Sequence, residues 1–345
     1  MLMTDSDYLF KIVKNLQVYF AMFKKTFLLC LSLSLLLPFS GADAAQKKAH
    51  RKDAKHVHVK KHVVVGARHK HKLEKASHSV DPFKESYTSA GEPKLASAKA
   101  LVMDQATGEI LYGKNIDKPT PIASVTKLMT AMVMLDAHLP MDEILAVTEA
   151  DVDKLKGSSS KLPVGSELTR QELLHMALMS SENRAASALG RNFPGGETAF
   201  IAAMNAKANA LGMQDSRFVD ATGLNSNNVS TAIDLAKMVR AAYNYPQIRQ
   251  VSTSPSQEFN LNSYRHPVNF SNTNLLVRNS NSKWVIGLSK TGYISEAGRC
   301  LVMQAEISGK GVVLVFLDSM GKLSRIGDAE RIRKWMEHNG SRRIG

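Results

Sequence analysis

The 345-residue sequence predicts an α+β fold: an antiparallel β-sheet flanked by helices, together with a mostly helical subdomain. Three observations carry that expectation. A hairpin pattern opens the folded part, helical patterns fill its middle, and three apolar strand patterns followed by one helix close it. With 44% hydrophobic residues the chain has ample material for the core of one large domain or two smaller ones.

The elements follow in order. Met22-Phe23-Lys24-Lys25, the apolar run 26–39 and Ala42-Asp43-Ala44 have the parts of a secretory signal peptide, which makes Met22 an alternative start and places cleavage after Ala44. The run is short for a permanent membrane anchor. Cys30 lies inside it behind the bulky Leu29, so lipidation is not expected, and Cys300 is left as a small buried hydrophobe in a strand. Residues 46–78 hold eleven Lys or Arg against Asp53 and Glu74, with seven of the eleven His. That segment carries +9 of the net +14, so the high pI belongs to it and the part after residue 78 is nearly balanced. A run of this kind reads as a solvated, disordered extension. A tether to anionic envelope polymers or lipid headgroups is the sharper reading, and metal binding by His56, His58, His62, His69 and His71 lacks a fixed ligand geometry. Nucleic acid is not an expected partner of an exported chain.

A connector over 79–96 leads to a hairpin, Ala98 to Met103 and Glu109 to Lys114, turning at Asp104-Gln105-Ala106-Thr107-Gly108. Ser124 to Ala137 is apolar on almost every face and predicts a helix buried within the domain, with Ser124 in its first turn. Thr169-Arg170-Gln171-Glu172 has the form of a capping box leading into Leu173 to Met179, and helical periodicity resumes from Arg184 to Arg191. Further helices are predicted over Phe200 to Leu211 and over Thr231 to Tyr243, the latter headed by Ser230. Trp284 to Thr291, Arg299 to Ile307 and Val312 to Leu317 read as strands, the last two joined at Ser308-Gly309-Lys310-Gly311, and a final helix spans about Arg325 to Glu337. The catalytic domain is thus expected over 97–338, with 339–345 as a short tail.

Three strings carry the chemistry: Ser124-Val125-Thr126-Lys127, Ser181-Glu182-Asn183 and Lys290-Thr291-Gly292. Each is weak alone, because Ser-x-x-Lys recurs at Ser158, Ser280 and Ser319 and Ser-x-Asn at Ser226, but only Ser124 opens a long apolar segment and Lys-Thr-Gly occurs once. A serine hydroxyl needs a base within hydrogen-bond reach. Three residues along a helix put Lys127 on the face of Ser124, and Lys127 can serve as base if burial or a second cation, Lys290, lowers its pKa. Ser181 is then expected to relay a proton between Lys127 and a leaving amine. The Asn183 amide is expected to hold a substrate carbonyl, and Lys290 and Thr291 a carboxylate or carbonyl. Gly292 lets a substrate backbone lie against the strand. Backbone N–H groups of Ser124 and Tyr293 are expected to form the oxyanion site, and the helix start at Ser124 favours developing negative charge.

With the longer strings Pro121 to Met129, Met179 to Ala186, Phe218-Val219-Asp220-Ala221-Thr222-Gly223-Leu224 and Lys290 to Gly298, the sequence resembles the penicillin-binding serine D,D-peptidases, which share a fold with the serine β-lactamases. The likeness covers residues 95–338 and is strongest to the low-molecular-mass D-alanyl-D-alanine endopeptidases of the bacterial periplasm. It implies an acyl-enzyme on Ser124, hydrolysis of D-Ala linked bonds in peptidoglycan stem peptides or cross-links, no metal or other cofactor, and covalent inhibition by β-lactams. A D-alanyl-D-alanine carboxypeptidase and a non-catalytic envelope-binding protein are the alternatives. Only 53 residues follow Gly292, fewer than a further β-rich domain with an amphipathic anchor would need. Glu258-Phe259-Asn260-Leu261-Asn262 matches the Glu-x-x-Leu-Asn string of class A β-lactamases, yet it lies near Lys290 and alternates like a strand, so efficient antibiotic hydrolysis is not expected.

Overall fold

The computed structural model describes residues 87, 88 and 91–342, all within a compact unit spanning Ala76–Gly345. The leader over 1–44, the basic segment and the first part of the connector lie outside the described residues.

The predicted hairpin is present as β1 (Lys99–Asp104) and β2 (Ile110–Lys114). Its turn is fastened by the Asp104 carboxylate, which accepts the N–H groups of Ala106 and Thr107, both at 2.9 Å. A two-residue strand, β3 (Thr120–Pro121), then feeds a 3-10 turn, Ala123–Thr126, which runs into α1 (Lys127–Asp136). The expected single helix from Ser124 is therefore two pieces: Ser124 lies in the tighter turn and the α-helix starts only at Lys127. Ala123, at φ 48°, begins that turn in the left-handed region, which a regular helix start does not require. Every residue from Lys127 to Met134 is buried, as the all-round apolar pattern predicts.

The next segment pairs β4 (Ile144–Ala146) with β5 (Glu167–Thr169) and continues through α2 (Arg170–Met179), α3 (Asn183–Arg191) and α4 (Gly196–Ala210). The capping box is formed as predicted: Thr169 accepts from the Glu172 backbone while the Glu172 carboxylate receives the Thr169 N–H at 2.8 Å. After β6 (Val229–Ser230), paired with β3, comes α5 (Ala232–Ala242), whose cap is Thr231 rather than Ser230. Then follow α6 (Pro246–Ser252), the small hairpin β7 (Ser256–Phe259) with β8 (Val268–Ser271), and the single turn α7 (Leu275–Arg278). The β-lactamase-like string at Glu258 thus begins in a strand, as its alternation indicated.

The chain closes with β9 (Val285–Ile294), β10 (Gly298–Ile307), β11 (Lys310–Ser319) and α8 (Ser324–Arg342), the last running further than expected. The five-stranded sheet has the order β2-β1-β11-β10-β9, every neighbouring pair being antiparallel. Its central strands are buried on both faces, which is why they read as continuous apolar runs. Leu101, Val313, Val315 and Leu317 pack into the large core with α1, α2 and α5. Val102, Leu314 and Phe316 pack on the other side with Ala329 and Ile332 of α8. Cys300 is buried in β10, where desolvation pushes its thiol up to about 11, an inert small hydrophobe. Because β9 is an edge strand, one row of its backbone groups is free of sheet partners.

One half-buried histidine is expected to make the fold pH-sensitive. His175 on α2 packs edge-on against Phe259 at 5.5 Å, and its Nε2 is buried without a hydrogen-bond partner among the described residues. Burial lowers its pKa below 6.5, so the unfolded chain takes up a proton that the folded chain resists. Stability is therefore expected to fall as pH drops through about 6.5. His175→Leu should show a smaller loss of Tm between pH 7.5 and 5.5 than the parent chain, and an equal loss would assign the acid sensitivity elsewhere.

Candidate active site

Ser124, Lys127 and Asn183 form one connected group. The 3-10 turn presents the half-buried Ser124 hydroxyl, and the fully buried Lys127 ammonium nitrogen sits 2.9 Å from its Oγ. Lys127 Nζ also donates to Asn183 Oδ1 and to the Thr222 carbonyl, each at 2.7 Å. Both of those oxygens can only accept. When Lys127 is neutral its two N–H groups go to them, and the remaining lone pair faces the Ser124 hydroxyl. Burial is the dominant cause that lowers Lys127 from 10.5 to about 7, while the carboxylates of Asp220, Glu182 and Asp153 pull it back up.

Thr222 belongs to the loop string around Asp220, whose role the residue types alone did not disclose. Asp220 Oδ1 accepts from Thr222 N at 2.6 Å and from Thr222 Oγ1 at 2.9 Å, and Oδ2 accepts from Asn225 N at 2.7 Å. Asn228 ties the same loop to Thr126 Oγ1 at 3.1 Å. Gly223, at φ 82°, lies hard against the nucleophile: a Cβ there would fall 1.9 Å from the Ala123 carbonyl oxygen and 2.9 Å from Ser124 N. On the opposite side, a Cβ on Gly292 would meet the Ile122 carbonyl oxygen at 2.9 Å and Ser124 N at 3.1 Å. The glycine of the third string is thus required for the strand to approach the serine's own backbone, not only for room beside a substrate.

The second group is built on β9. Lys290 Nζ, fully buried, donates to Ser181 Oγ at 2.8 Å and to the Thr291 carbonyl at 3.0 Å, and Thr291 Oγ1 donates to Thr273 Oγ1 at 2.6 Å. Ser181, at φ 63°, is held in the left-handed region between α2 and α3, a strained position for a serine. Ser181 therefore bonds Lys290, whereas the expectation had it beside Lys127. The second-cation argument holds as a mutual repulsion. Lys290 is held well below its ordinary value by burial first and then by Lys127 and Arg325, and the same repulsion acts on Lys127, where burial is the leading cause of the lowering. Asn183, expected to hold substrate, is engaged at both ends: Oδ1 accepts from Lys127 and Nδ2 donates to Ser158 Oγ at 2.9 Å. Tyr293 is exposed at the mouth, with the Arg299 guanidinium 4.4 Å from its ring centre.

Arg325, on α8, was not singled out in the sequence because nothing in its neighbourhood marks it. Its Nε is buried without a hydrogen-bond partner among the described residues, and burial together with Arg299 lowers its pKa. Its charge is one of the causes that hold the Lys290 pKa down. No group of three or more His, Cys, Asp or Glu able to hold a metal ion occurs among the described residues.

A buried lysine faces a serine, a second serine is strained onto a second buried lysine, and glycines press against the first serine; comparison with known proteins gives the family of the chain. The sequence family described as D-alanyl-D-alanine carboxypeptidase matches residues 86–321. The chain belongs to that family of penicillin-binding serine D,D-peptidases. It is 49% identical over 249 residues to a D-alanyl-D-alanine endopeptidase of Pseudomonas aeruginosa, covering 71% of this chain and 79% of the relative. To a D-alanyl-D-alanine endopeptidase of Escherichia coli it is 47% identical over 250 residues, 72% and 80% of the two chains. Among solved structures, a Streptomyces DD-transpeptidase superposes with a TM-score of 0.65 at 29% identity, over 70% of this chain and 97% of that one. The α+β fold is thus the one shared by this peptidase family, and the chain is a serine hydrolase acting on D-alanyl-D-alanine.

Proposed function

We propose that this D,D-peptidase is a D-alanyl-D-alanine endopeptidase that opens peptidoglycan cross-links through an acyl-enzyme on Ser124. The observation that carries the mechanism is the pair of carbonyl acceptors, Asn183 Oδ1 and Thr222 O, which leaves the Lys127 lone pair for Ser124. Lys127 takes the hydroxyl proton as Oγ attacks the D-Ala carbonyl carbon. The N–H groups of Ser124 and Tyr293 hold the oxyanion. Lys127 then gives that proton to the leaving nitrogen, with the Ser181 hydroxyl, held by Lys290 rather than by Lys127, as a relay that the bound substrate completes, and the C–N bond breaks to leave an ester on Ser124. Water then attacks that ester by the reverse route, with Lys127 again removing the proton.

Thr291, Lys290 and the positive end made by Arg325 and Arg299 suit the carboxylate that lies beside the scissile bond in D-Ala linked substrates. β-Lactams, which mimic that acyl donor, are expected to acylate Ser124. The named relatives support cleavage of cross-links, and the family description supports the second reading, a carboxypeptidase. Residues 97–338 are read as the catalytic domain and the periplasm as its location; among the described residues no helix is long and apolar enough to cross a membrane. The basic segment is read as an electrostatic tether to anionic envelope polymers or lipid headgroups.

The deciding experiment is digestion of cross-linked dimeric muropeptide mixed with monomeric pentapeptide, with products read by mass spectrometry. Conversion of dimer to monomers is the expected result. Trimming of pentapeptide while dimer stays intact would replace the endopeptidase reading with the carboxypeptidase one.

A further inference from the structure

The loop after the 3-10 turn Glu149–Asp151 contains Ser158-Ser159-Ser160-Lys161, a Ser-x-x-Lys string that the mechanism does not use. It nevertheless reaches the site. Ser158 Oγ accepts from Asn183 Nδ2 at 2.9 Å and donates to Asp153 Oδ2 at 2.6 Å. Ser160 Oγ donates to Glu182 Oε1 at 2.7 Å, and Lys156 forms an ion pair with Glu296, in the turn after β9. The loop is thus fastened both to the Ser181-Glu182-Asn183 string and to the end of the strand that carries Lys290.

The direction of these bonds is fixed by chemistry. Asp153 receives the N–H groups of Leu155 at 2.8 Å, Lys156 at 2.9 Å and Ser158 at 2.9 Å. Burial pushes its carboxyl up, but these bonds and the Ser158 hydroxyl outweigh it and hold it below the usual range, so it is an ionised acceptor. With its one proton committed to that carboxylate, Ser158 can only accept from Asn183. Asn183 must then turn Nδ2 toward Ser158, and Oδ1 necessarily faces Lys127. With the amide reversed, Nδ2 would face Lys127 as a donor and compete with Ser124 for the amine lone pair.

We propose that Ser158 and Asp153 are positioning residues that set the orientation of the Asn183 amide and so keep the Lys127 lone pair on Ser124. The inference rests on the reading of Lys127 as the base of Ser124. It is tested by the second-order rate of acylation with a fluorescent penicillin, alongside thermal unfolding of each variant. Ser158→Ala, which removes the acceptor, is expected to acylate at least about tenfold more slowly while remaining folded. Ser158→Thr, which keeps a hydroxyl at a partly exposed position, should restore the parent rate. Asp153→Asn should slow acylation with Ser158 intact, because the hydroxyl proton is then free to turn toward Asn183; all rates are compared at pH 9, where Lys127 is neutral with or without the Asp153 charge. A folded Ser158→Ala or Asp153→Asn that acylates at the parent rate overturns the inference, as does a Ser158→Thr as slow as the alanine variant. A parent chain that never labels overturns the reading of Ser124 itself, and the inference with it.

Discussion

Ser124→Ala is expected to abolish covalent penicillin labelling and to reduce D-alanyl cleavage by about 10⁴-fold or more, to whatever the oxyanion site and substrate binding alone supply. The expectation follows from where the nearby hydroxyl protons go. Ser158 gives its proton to Asp153, and Ser181 is bonded by Lys290. Ser124 alone of the three faces Lys127, at 2.9 Å. No other serine of the site can inherit the reaction without rebuilding it. The fold should survive, because Ser124 is partly exposed and its side chain contributes one hydrogen bond, worth about 1 kcal/mol net. A thermal unfolding curve close to that of the parent, together with complete loss of labelling, is the expected pair of results. A folded Ser124→Ala chain that still binds penicillin covalently would move the nucleophile elsewhere.

The sequence made the frame of this site readable because its signals are local. A buried helix shows as a stretch from Leu128 to Met134 that is apolar but for Thr130, and the capping box at Thr169 and Glu172 is a pattern of four residues. The central strands announce themselves because both faces are covered. Other features depend on contacts distant in sequence. Pairs such as β3 with β6 hold two residues a side and have no periodicity to detect, and α6 is a short helix whose only local marker is Pro246 at its start. The start of α1 departs from the predicted one for a related reason. The 3-10 turn exists because Ala123 is pinned between Gly223 and Gly292, about 100 and 170 residues away. Lys127 and its nearest acceptors show the same limit. Asn183 was legible as a site residue from its string, but that its amide serves Lys127, and that a backbone carbonyl at Thr222 completes the cradle, appears only when the chain is folded.

Lys127→Met is expected to lose acylation by about 10²- to 10⁴-fold, the usual contribution of a positioned general base, and to alter stability in a manner that depends on pH. In the parent chain kcat/KM should rise as pH increases through about 7, because only the neutral amine can take the Ser124 proton. The same lowered pKa has a stability sign. Between about pH 7 and 10.5 the unfolded chain carries a proton on Lys127 that the folded chain has given up, so stability from this group rises with pH across that window. Below about pH 7 the folded chain bears the full cost of the buried charge, about 5 kcal/mol at 1.36 kcal/mol per pH unit. Methionine removes that cost but leaves Asn183 Oδ1 and the Thr222 carbonyl without their donor, at about 1–3 kcal/mol each. The two effects nearly cancel at pH 6, whereas at pH 10 only the unsatisfied acceptors remain and the variant should be the less stable. Lys290 adds to the contrast, since losing the charge at Lys127 removes one of the causes that hold its own pKa down. Denaturant unfolding of both chains at pH 6 and pH 10 measures the difference directly. A stability gap independent of pH would mean that Lys127 does not change its proton in the folded site, and the rise of activity through pH 7 would then need a different group.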